Sequence, residues 1–152
     1  MLVVLFMIIA VVVISLGILY RADMAAAGGH NYALRTQADY IAWAGLEHAR
    51  ALILANPGDP IDPANPDNKA PYTLDDNGTY YYYLSPIGEP NLLADPNCRR
   101  YDDIECIVYY NKDNTRTNPC SVLTTSILYD LNSKTAWFTN IHRPALPEDA
   151  AP

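Results

Sequence analysis

Residues 1–20, MLVVLFMIIAVVVISLGILY, contain no charged side chain, and Ser15 is the only clearly polar one among them. At ~1.5 Å per residue, a helix over this stretch runs about 30 Å, enough to cross the apolar core of a bilayer. A cleaved secretory signal is shorter, begins with basic residues and ends at a small-residue cut site. Here the run starts at Met1 and passes into Arg21 and Asp23 with no such site. The flanking cation, Arg21, lies on the C-terminal side, opposite to what membrane orientation usually requires. That conflict disappears if a short basic leader has been removed and Met1 is the mature end, which is the expectation adopted.

No turn signal follows. The chain continues through RADMAAAGGHNYALRTQADYIAWAGLEHARALILANP, and Pro57 is its first proline. Small and apolar residues recur at Ala38, Ile41, Ala42, Gly45, Ala49, Leu52 and Ile53, steps of three and four that trace one helix face. Arg35, Asp39, Glu47, His48 and Arg50 lie largely off it. The spacing predicts one helix to about Leu54, apolar over residues 1–30 and amphipathic over 31–55, ended by Asn56-Pro57. Gly17 and Gly28-Gly29 weaken it by ~1 kcal/mol each relative to Ala. They suit close helix–helix contact or a local unwinding.

Residues 56–71 form a connector in which Pro57, Pro60, Pro63 and Pro66 each follow Asn or Asp. A proline every third residue predicts an extended polyproline II segment without internal hydrogen bonds. Asp59, Asp62 and Asn65 then fall along one edge, and the alternative to a solvated spacer is a calcium-binding edge.

From residue 72 to 152 the period becomes two. A hairpin is expected from 72–74 and 79–84 around Asp75-Asp76-Asn77-Gly78, followed by a loop over 85–103. A strand is expected at 104–110 with Ile104, Cys106 and Val108 on one face, then a second hairpin from 122–129 and 136–141 and a polar, proline-rich tail. The fold class is α+β: one long N-terminal helix packed on a small antiparallel sheet of about four strands. Tyr80, Tyr81, Tyr82 and Tyr83 alternate across their strand. One pair packs inward, and the other is free for a neighbour or for a sugar face, so all four are candidate surface-binding residues. Asn77-Gly78-Thr79 is a formal glycosylation sequon within a turn that already explains its Asn-Gly.

The net charge of -7 argues against nucleic-acid binding, which needs a basic face. His30, His48 and His142 are isolated, no phosphate loop, dinucleotide fingerprint or nucleophile elbow occurs, and Asp75-Asp76 and Asp102-Asp103 read as turn and loop acids. The chain is therefore expected to be no enzyme, and no cofactor or metal is expected. Cys98, Cys106 and Cys120 lack zinc spacing and suggest one disulfide with a spare thiol. If 104–110 and 122–129 pair, Cys106 and Cys120 are several residues out of register for a bond. Cys98–Cys106 is the expected pair, unless loop 111–120 folds back to bring Cys120 to Cys106.

The apolar N-terminus running into an amphipathic helix, with QADYIAWAGLEHARALI at Gln37–Ile53, resembles the type IV pilins and the pseudopilins of type II secretion. This stretch is similar to the Q-x-x-x-x-A-x-A-G-x-E-x-A pattern of minor pilins and K-type tip pseudopilins, and the resemblance covers about a third of the chain. It implies a structural subunit of an extracellular filament. Copies of the chain would pack through Leu2, Leu5, Ile9, Val12, Leu16 and Leu19, reside in the inner membrane before assembly, and be handled by pilus or secretion machinery. Major pilins place Glu at the fifth mature position, whereas this chain has Leu5, and solvation of the Met1 amine must come from elsewhere. Tip subunits commonly lack that Glu. The filament-forming pilin is the leading expectation, with a minor or tip pseudopilin, or a membrane-anchored binding ectodomain, as alternatives.

Overall fold

The computed structural model describes residues 2–62, 65, 71–73, 80–110 and 119–144. Helix α1 runs unbroken over Leu2–Ala55, passing Gly17, Gly28 and Gly29 without an unwound turn. A methyl added at any of these three glycines would meet nothing within 4 Å. The strands are β1 Tyr72–Thr73, β2 Tyr80–Leu84, β3 Asn91–Leu92, β4 Cys98–Tyr110, β5 Ser121–Asp130 and β6 Thr135–His142. The chain divides into two compact units, residues 1–36 and 37–152.

In the second unit the helical residues from Gln37 onward pack on an antiparallel sheet of order β1-β2-β4-β5-β6, with β3 beside the start of β4. Of its six strands, β1 and β3 are two residues each. β1, β2, β4, β5 and β6 fall on the stretches expected as strands, and β3 is additional. One further difference concerns what lies between them. The expected 85–103 loop contains β3 and the first half of β4. The sequence CRRYDD looks unlike a strand because its charges are matched by distant or irregular partners. Arg99 donates to the Pro57 carbonyl at 2.9 Å, and Arg100 pairs with Asp102 at 2.6 Å. Asp103 takes a positive φ of 57° at the register shift between Tyr101 and Ile104. That bulge swaps the core-facing parity from odd (Tyr101) to even (Ile104, Cys106, Val108).

The described connector residues are also not extended throughout. Backbone bonds from Asp59 to Asn56, Ile61 to Asp59 and Asn65 to Asp62 tighten it into turns, and Asp62 and Asn65 are buried. Turn residues 75–78, the 77–79 sequon, loop 111–118 and the tail beyond 144 lie outside the described residues.

The core is a match of small against large. The helix contributes Ala38, Ala42, Leu46, Ala49 and Ile53, all fully buried, and the sheet answers with Tyr80, Tyr82, Tyr101, Tyr129, Ile104, Ile127 and Val108. Fully burying a Leu, Ile or Val stabilises by about 1.5–3 kcal/mol each, while the alanines and Gly45 let the helix lie close to the tyrosine rings. A methyl at Gly45 would overlap the Cys106 Sγ and stand 3.0 Å from Tyr82 Cδ2. Polar contacts at the margins fix the helix rotation. Ser121 donates to Asp39 at 2.7 Å, Arg143 pairs with the same carboxylate at 2.7 Å, and Tyr80 donates to Gln37 at 3.3 Å. Trp43 meets Phe138 edge-on at 6.1 Å.

Candidate functional site

Two surfaces carry the candidate residues, one in each unit. The first is the apolar part of α1. From Phe6 to Tyr20 the large apolar side chains are 50–68% exposed. An isolated helix in water already exposes side chains to this extent, so no described residue covers them. Ile9, Val12, Leu16 and Leu19 stand among them. The side chains of Leu2 and Leu5 lie outside the described residues. Ser15, the polar exception, turns its hydroxyl back onto the Val11 carbonyl at 2.8 Å, so even that group is satisfied within the helix. Among the described residues this is the one helix long and apolar enough to cross a membrane. The helix first carries charge at Arg21 and Asp23.

The second surface is the face of the sheet turned away from the helix. Alternation in β2 divides the tyrosine run as its period requires. Tyr80 and Tyr82 are buried under the helix and belong to the core, so neither serves as a surface-binding residue. Tyr81 and Tyr83 are half-buried on the opposite face. Register places Tyr81 opposite Tyr109 and Tyr83 opposite Ile107, and directly opposed side chains share a face. The Tyr83 and Tyr109 rings meet edge-on at 5.7 Å. Farther along the same face Trp137, 47% exposed, stands opposite Leu128. Tyr109 was legible in the alternation of 104–110, since Ile104, Cys106 and Val108 claim the inner face. Trp137 was not, because its face depends on the β5–β6 register.

Behind this face lies a part-buried polar and aromatic cluster. Tyr72 donates to Asp62 at 2.6 Å, stacks on Tyr82 with ring centres 5.1 Å apart and meets the His48 ring edge-on at 4.8 Å. His48 Nδ1 and the Tyr82 hydroxyl share a hydrogen bond of 3.2 Å. Burial, reinforced by Asp62, pushes the Tyr72 hydroxyl up to about 12. Burial, reinforced by Cys106, does the same for Tyr82. Asp62 is thereby used as an internal acceptor, and among the described residues no group of three or more His, Cys, Asp or Glu could hold a metal ion.

The expected Cys98–Cys106 bond does not form. Both residues are in β4, eight positions apart on one extended strand, which is about 26 Å at ~3.3 Å per residue. All three cysteines are free thiols. Cys106 is wedged beneath Gly45, and its burial, with Glu105 nearby, raises the thiol to about 12. It is consequently a poor nucleophile and behaves as a small apolar core residue. Cys98 sits 3.8 Å from an Asp95 carboxylate oxygen. Burial and then Asp95 raise its thiol as well.

No family model, curated protein or solved structure matches this chain.

Proposed function

We propose that this chain is a structural subunit of an extracellular filament of the type IV pilin kind. Residues 1–20 pack against the same segment of neighbouring copies, and the sheet domain forms the exterior. The observation that carries this reading is the exposed apolar run from Phe6 to Tyr20, which no described residue covers and which is continuous with the helix that organises the head. So apolar a helix has no stable existence in water. It resides in lipid before assembly, in the inner membrane, and in contact with other copies afterwards, with pilus or secretion machinery moving it between the two. The Gln37–Ile53 pattern supports the same family.

The head contributes no catalysis on this reading. Its tyrosines are core or display residues, its thiols have raised pKa values, and its buried carboxylate is bound to Tyr72. Tyr81 and Tyr83 offer aromatic faces on which sugars or surfaces adhere. One observation favours a second reading: the Gln37–Ile53 stretch follows a pattern common in minor pilins and K-type tip pseudopilins. Expressing the full chain with assembly machinery, imaging by electron microscopy and counting copies per filament tests both. Many copies along each filament support the main reading, a single copy at the end supports the tip subunit, and a chain that stays singly dispersed in the membrane removes both.

A further inference from the structure

Arg21 and Asp23 are the only formally charged side chains in residues 1–34. Both are exposed, and among the described residues neither side chain has an ion-pair or hydrogen-bond partner. They cannot serve each other. Residues two apart on an α-helix point about 200° away from one another. They sit at the end of the uncharged run, directly after Tyr20, where side-by-side packing of apolar segments draws both toward a drier surrounding. Charges in that setting are tolerated when paired.

We propose that Arg21 of one copy pairs with Asp23 of a neighbouring copy, and that this contact sets the register between adjacent apolar segments. The inference rests on the filament reading and adds to it the residues that align the copies. The occupant is a second copy of this chain, because along residues 1–34 the only acid able to answer Arg21 is another copy's Asp23. The angular separation also decides the kind of contact. With cation and anion on opposite sides of the helix, one two-fold pair cannot satisfy both, since that needs them on one face. Each copy instead offers Arg21 to one neighbour and Asp23 to another, a head-to-tail contact that propagates or closes into a ring. The axial offset between the two residues is ~3 Å, so paired copies are staggered by about that much or by the small shift their side chains allow.

The test uses the full chain expressed with assembly machinery, reading the assembled fraction by sedimentation and electron microscopy. Arg21→Asp alone and Asp23→Arg alone each place like charges together, and each should lower the assembled fraction by about tenfold or more. The exchange Arg21→Asp with Asp23→Arg should restore it. So should co-expression of the two single variants, since the doubly acidic helix complements the doubly basic one in an alternating array. Single variants that assemble like the parent, while Val11→Asp blocks assembly, would overturn the pairing and leave the filament reading intact. Loss in the single variants without rescue by either the exchange or the mixture would overturn it too, assigning each charge a separate role such as membrane orientation. A parent chain that never assembles removes the filament reading and this inference together.

Discussion

Gly45→Ala tests how the head is built, because two opposing effects of known size meet at that residue. Replacing a mid-helix glycine with alanine normally stabilises by about 1 kcal/mol. Here the added methyl would overlap Cys106 Sγ and stand 3.0 Å from Tyr82 Cδ2 and 3.3 Å from Cε2. Cys106 is fully buried on β4 and has one side-chain torsion, so the sulfur has little room to retreat. Overpacking of this kind costs about 1–3 kcal/mol, so the net expectation is a destabilisation of about 1 kcal/mol. In the fragment 31–152 that lowers Tm by about 4 °C. Cys106→Ala alone should cost about 1–2 kcal/mol through the cavity it leaves. Combined, the new methyl occupies the volume the sulfur gave up, and the double variant should be at least as stable as Cys106→Ala. Urea unfolding of the parent, two single variants and double variant yields the coupling directly, expected at about 1–3 kcal/mol and favourable. A Gly45→Ala fragment more stable than the parent, or a coupling near zero, would refute the close approach of helix to sheet on which this core depends.

Three further outcomes follow from the head. Tyr72 and Tyr82 are raised from 10.0 to about 12 and Cys106 from 9.0 to about 12, so the folded state holds protons that the unfolded chain releases. Their contribution is complete below about pH 9 and lost as pH rises toward 12. Urea midpoints should fall over that window, less steeply in Tyr72→Phe. Maleimide should label Cys98 and Cys120 in the native fragment and Cys106 only after unfolding, and non-reducing peptide mapping should find no Cys98–Cys106 bond. Replacing Tyr81 and Tyr83 together with Ser should reduce attachment to cells or sugar-coated surfaces while filaments still form. If that change blocks assembly, these rings belong to a contact between copies.

The helix and its inward face were legible because both rest on local periodicity. Ala38, Ala42, Gly45, Ala49 and Ile53 were read from spacing alone and are buried, while Ile41 and Leu52 are half-buried at the edge of that face. Leu46, four residues after Ala42, lies on the same face and is also buried. The division of Tyr80–Tyr83 into an inner and an outer pair followed from the strand period. What depends on distant partners was not legible. Cys98–Arg100 form a strand because β5 pairs with them and Pro57 takes the Arg99 guanidinium. Without that pairing Cys98 falls in the expected 85–103 loop, and the expected Cys98–Cys106 bond depends on that placement. Asp62 read as an edge acid of an extended connector, and only the fold brings Tyr72 onto it. In the apolar segment the sequence signal was complete, since twenty uncharged residues need no tertiary information to be read.

The claim that these twenty residues are the assembly surface is tested most directly by filament yield from Val11→Asp in the full chain. Val11 is 63% exposed in the middle of the run, and an aspartate at the centre of a membrane-spanning helix costs about 2.5–3.5 kcal/mol in insertion scales. Repeated in each copy of a filament, the penalty should leave no assembled material while fragment 31–152 still folds. Filaments from Val11→Asp in parental yield would contradict the account.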